Sequence, residues 1–88
     1  MMDKDLSSLR SEIDQLDEQL WEIIGKRVNV ARQIGEWKRI NKEPVIQAQR
    51  YQDVLAHCHR VGRQYGVSEE LVNEVMQALH QESVRVVS

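Results

Sequence analysis

Arg27, Lys38 and Arg50 are the residues whose types and spacing carry the clearest chemistry, and a small dianion is what they suit. Arg27 stands on an apolar repeat of Leu6, Leu9, Ile13, Leu16, Leu20 and Ile23 that continues through Val30, Ile34 and Trp37. A guanidinium on a stripe that should be buried needs an anion to offset the cost. Lys38 follows ~20° away around a helix and ~16 Å further along it. Ala31 and Gly35 lie between them, so the two cations flank a floor of small residues. Arg50 comes just after a proline loop, in the first turns of the next helix, where unpaired N–H groups also favour anions. The competing reading pairs Arg27 with a carboxylate on a packed neighbour, uses Gly35 only to admit another helix, and leaves Arg50 facing solvent. Arg10 is a fourth cation, ~25 Å up the same helix from Arg27. It cannot share a small ligand with Arg27 of its own chain, but in an antiparallel dimer it reaches the partner's site.

Other chemistries find little support. No Ser-His-Asp or Cys-His set has workable spacing, and no glycine-rich phosphate loop is present. His57, Cys58 and His59 are consecutive, so on a helix they point ~100° apart and do not converge on a metal. No metal or cofactor is expected. Trp21 and Trp37 read as packing residues. The formal charge of -2 argues against a nucleic-acid partner.

The elements that position the cations follow from composition and periodicity. The chain has 88 residues, 41% hydrophobic and 30% charged, with one Pro and no Phe, which suits one soluble helical domain over residues 1–88. One Cys fits a reducing cytoplasm. The polar Met1–Asp5 stretch has no signal-peptide character, and no apolar run is long enough for a bilayer. The repeat predicts a first helix, capped by Asp5 or Ser7, of ~35 residues and ~52 Å, ending near Ile40. Pro44 breaks the chain, and a second helix starts at Gln47 or Ala48. Its apolar stripe is Ala48, Tyr51, Val54, Leu55, Cys58, Val61 and Tyr65, and Gly66 closes it as a left-handed cap. Ser68 caps a third helix, with Leu71, Val72, Val75, Met76 and Leu79 inward and Ser83 on the same stripe. The Val84–Ser88 end is the part expected to fray. A first helix this long exceeds what its own chain covers, so a homodimer paired along it is expected, with folding and association coupled.

In order and spacing these residues resemble the small all-helical chorismate mutases, over nearly the whole chain. The resemblance rests on Leu9-Arg10, Ile13-Asp14-Gln15-Leu16-Asp17, Arg27 with Val30-Ala31, Ile34-Gly35-x-x-Lys38, Pro44-Val45, Arg50 and Glu82-Ser83-Val84. The Pro44–Tyr51 stretch is most similar to mutase domains fused to an aromatic-pathway synthase. The family implies an intertwined dimer of three-helix chains that rearranges chorismate to prephenate, towards phenylalanine and tyrosine. By that resemblance Arg27 and the partner's Arg10 hold one carboxylate region, Arg50 helps with the other, Lys38 touches the ether oxygen and Ser83 lines the pocket. Gln47, Tyr51 and Val87 stand where the family often has Asp, Glu, and Gln or Glu, so each departs from the pattern. Alternatives are an isochorismate-pyruvate lyase of the same fold and a non-catalytic helical dimer module.

Overall fold

The computed structural model describes residues 5–87; Met1–Lys4 and Ser88 lie outside them. Among the described residues all regular structure is helical: α1 (Leu6–Ile40), α2 (Ala48–Gln64) and α3 (Glu69–Val87). α1 begins where Asp5 accepts a hydrogen bond from the Ser8 backbone N–H at 2.8 Å, which pulls the Asp5 carboxyl below its usual pKa. Ser68 does the same for α3, its hydroxyl accepting from the Leu71 N–H at 3.1 Å.

Two helix ends close by the same left-handed device. At the end of α2, Gly66 has φ +72°, and the Val67 N–H donates back to the Gly62 carbonyl at 2.9 Å. At the end of α1 the equivalent position is Lys42, φ +58°, with the Glu43 N–H donating to the Lys38 carbonyl at 2.8 Å. A lysine there is unusual. The turn is held by Asn41, whose side-chain amide donates to the Trp37 carbonyl, and by Pro44, which cannot continue the helix.

α3 packs against both α1 and α2. On α1 it covers Ile24, Val28, Ala31, Gly35 and Lys38, which become half-buried. The Leu6–Trp37 repeat lies roughly a quarter turn around the helix and stays open: Leu6, Leu16 and Ile23 are 57–61% exposed. Trp21 and Trp37 are likewise exposed, so neither packs within its own chain. Arg27 sits at the margin between the covered and the open stripe. Only Val72 and Met76 among the described residues are buried, while Leu71 and Val75, expected inward, are exposed, as are Ala48 and Tyr65. The molecule measures 60 × 22 × 15 Å, with a radius of gyration of 16.8 Å. A compact chain of this length would have one near ~12 Å.

Two close approaches set the helix spacing. A Cβ on Gly62 would lie 2.8 Å from a Val72 methyl, and one on Gly35 would lie 2.2 Å from Val87 Cγ1 and 2.6 Å from Val87 Cβ. That second contact keeps α3 helical through Val87, where fraying was expected from Val84 onward. It also makes a prediction. Alanine favours a helix over glycine by ~1 kcal/mol, yet Gly35→Ala should destabilise the protein by about 1–2 kcal/mol net, because overpacking costs more. The penalty should shrink in a Val87→Gly background, which removes both clashing atoms, as read by urea denaturation of the single and double variants.

Candidate active site

The three helices and the α1–α2 turn enclose a cavity of about 360 Å³, at the small end of the ~300–1,000 Å³ common for small-molecule sites. α1 contributes Arg27, Ala31, Gly35 and Lys38 to its wall. The turn and the start of α2 bring Gln47, Arg50 and Tyr51; α3 brings Ser83 and Val87. Of the residues singled out in the sequence, all but Arg10 converge here. Arg10 lies on the exposed N-terminal half of α1, away from the cavity.

The hydrogen bonds around the cations explain their orientation. Arg27 Nη1 donates to the Ser83 hydroxyl at 3.3 Å, a neutral partner on α3. Lys38 Nζ donates to the Val45 carbonyl at 2.9 Å, which ties the α1–α2 turn back onto α1. Among the described residues none of the three cations forms an ion pair, and no carboxylate lines the cavity. Neighbouring acids are engaged elsewhere. Glu36 pairs with Arg39 through hydrogen bonds that hold its carboxyl below the usual range, and Glu82 pairs with Arg85. The carboxylate partner that the competing reading gives Arg27 is therefore a serine hydroxyl. That reading does hold for Gly35, which admits Val87 of α3.

Three positive charges around so small a space form an anion site. At ~9 Å and an effective dielectric constant of ~20, each unit charge is worth at most ~2 kcal/mol to an anion, and Arg50, which is exposed, contributes less. Arg27 and Lys38 are half-buried, so their charges are the less screened ones.

His80 is a wall residue that sequence reasoning missed. Its ring stacks on Tyr51 with centroids 4.3 Å apart and planes tilted by 40°. The signal was available, since His80 follows the buried Met76 by four residues and precedes Ser83 by three. His57 and Cys58 instead border a separate apolar hollow between α2 and α3, and His59 bonds to the Asn73 side-chain oxygen at 2.8 Å.

A sequence model described as chorismate mutase type II matches residues 9–87. The chain belongs to this family. Its relatives include the T-protein of Haemophilus influenzae, 31% identical over 78 residues, which is 89% of this chain and 21% of the relative. The 4-amino-4-deoxychorismate mutase of Streptomyces pristinaespiralis is 26% identical over 81 residues, 92% of this chain and 63% of the relative. The bifunctional chorismate mutase/prephenate dehydratase of Buchnera aphidicola is 28% identical over 80 residues, 91% of this chain and 21% of the relative. The chain thus spans about a fifth of the length of the T-protein and bifunctional relatives. The cavity lies wholly within the segment matched to the family, and all three cations belong to it.

A small dicarboxylate should bind here, one per chain by calorimetry, and more weakly as salt is raised. Arg27→Ala should weaken that binding at least tenfold, since a hydrogen bond to a charged group contributes ~1.5–3 kcal/mol.

Proposed function

We propose that this chain is a chorismate mutase, converting chorismate to prephenate in the cytoplasm as a step towards phenylalanine and tyrosine. The observation that carries the reading is a cavity whose three cations form no ion pair and which, among the described residues, no acid lines, inside a chain of this family. Chorismate is a dianion with an enolpyruvyl ether. Its Claisen rearrangement breaks the ether C–O bond as a new C–C bond forms between the enolpyruvyl methylene and the ring. No proton is transferred and no nucleophile attacks, so a site without either suffices. It has to hold the substrate in its compact reactive conformer and to oppose the negative charge that builds on the ether oxygen.

In this reading Arg27, fixed by Ser83, grips one carboxylate and Arg50 serves the other. Lys38 turns from the Val45 carbonyl to the ether oxygen. Gln47 and Tyr51 face the ring. Val87 is the departure with the largest consequence, because a valine cannot donate a second hydrogen bond to the ether oxygen. Its methyl groups are committed to Gly35 instead. The loss of one such donor costs ~3 kcal/mol of barrier, or roughly a hundredfold in rate.

The same proposal includes an intertwined homodimer, with residues 1–88 acting as one mutase domain in each chain. Its support is the continuous open stripe on α1, from Leu6 to Trp37, on a rod of ~52 Å. A patch of this kind marks an association surface. An antiparallel two-fold pairing along α1 brings the partner's Arg10 beside Arg27 as a fourth cation, because the ~25 Å between them on one rod is spanned by going across to the other.

The test is product identity. Purified protein given chorismate should yield prephenate, and Lys38→Met should lower kcat at least a hundredfold with a smaller change in KM. Release of pyruvate from isochorismate with no prephenate from chorismate would assign the lyase instead. Binding of a dicarboxylate with no turnover of either would assign a non-catalytic module.

A further inference from the structure

Among the described residues no carboxylate lines the cavity wall. Besides Arg27, Lys38 and Arg50 its polar members are Gln47, Tyr51, His80 and Ser83. At neutral pH the amide and hydroxyls are neutral donors and acceptors, and an imidazole is neutral or positive. The His80 ring stacks on Tyr51. Of the acids near wall residues in sequence, Glu36 pairs with Arg39, Glu82 with Arg85, Asp53 accepts from Gln49, and Glu43 is exposed in the α1–α2 turn. The cavity holds about 360 Å³, and all three cations are in its wall. A dimer that adds the partner's Arg10 makes the wall more positive still.

We propose that this site is a charge filter: it takes a cyclic dicarboxylate whose ring substituent is uncharged, such as a hydroxyl, and discriminates against the same skeleton carrying an ammonium. The proposal rests on the mutase reading above. An amine in place of the hydroxyl lowers the ligand's net charge from -2 to -1 at neutral pH. It also places a cation among cations, with no carboxylate to receive it. These are one electrostatic effect, and it weakens binding within a wall of cations, so the selectivity follows from the composition of the wall. Like-charge juxtaposition of this kind is a common source of discrimination between near-isosteric ligands.

The test compares chorismate with 4-amino-4-deoxychorismate, by turnover and by calorimetry, on the full chain. At pH 7 chorismate should be preferred at least tenfold in kcat/KM, chiefly through KM. The preference should narrow as pH rises and the ligand's amine loses its proton. Gln47→Glu, at an exposed position before α2, and His80→Glu each put a carboxylate into the wall. Each should move the ratio at least tenfold towards the amine; two sites guard against one variant failing to fold. Chorismate turnover with near-equal handling of both ligands, or a ratio unmoved in both variants, overturns the filter and leaves the mutase standing. Failure to bind or convert either ligand overturns the mutase reading, and the filter falls with it.

Discussion

The length of α1 is the constraint from which the rest of the structure follows. Thirty-five residues in one helix make a rod that two shorter helices cannot cover. α3 covers its C-terminal half on one side, from Ile24 to Lys38, and leaves a second stripe open along the whole rod. Arg27 stands between these two faces. It is covered enough to be held by Ser83 and open enough to meet a ligand.

The site itself depends on how closely α3 approaches α1. Gly35 lets Val87 come within a distance that no side chain at that position would allow, and this contact draws the end of α3 over the cavity. Ser83, one turn earlier, thereby reaches Arg27. The same contact explains why Val87 is not free to serve as a polar group: it is a packing residue at a position that borders the site. Among the described residues the cations remain without carboxylate partners, and Glu36 and Glu82 pair with Arg39 and Arg85 instead. An anion from solution is what completes the electrostatics.

Much of this was legible in the sequence, and the reasons are local. The 3–4 repeat, the Asp5 cap and Pro44 define α1 to within a residue, and Ser68 and Gly66 do the same for the α2–α3 turn. The cations were legible because Arg27 interrupts the apolar repeat, Lys38 lies at helical spacing from it, and Arg50 opens the helix after the Pro44 loop. What periodicity could not say is which stripe the chain covers for itself. Leu71 and Val75 have the same apolar character as Val72 and Met76, yet only the latter pair is buried, because α1 and α2 lie on that side alone. Lys42 in a left-handed conformation carried no glycine or asparagine signal. His80 was passed over since a single histidine on an apolar stripe reads as core until Tyr51 is seen against it.

The central claim is that each site is built from two rods, with Arg27 from one protomer and Arg10 from its partner. Complementation between variants tests it most directly. Arg10→Ala and Arg27→Ala dimers should each lose most activity, since every site then lacks a carboxylate ligand. Mixed and allowed to exchange, they form heterodimers in which one site lacks both cations and the other has both intact. The mixture should recover activity, approaching half of wild type within the heterodimer fraction. If subunits demonstrably exchange and the mixture stays as inactive as its parents, Arg10 does not act across the interface and the shared site is wrong.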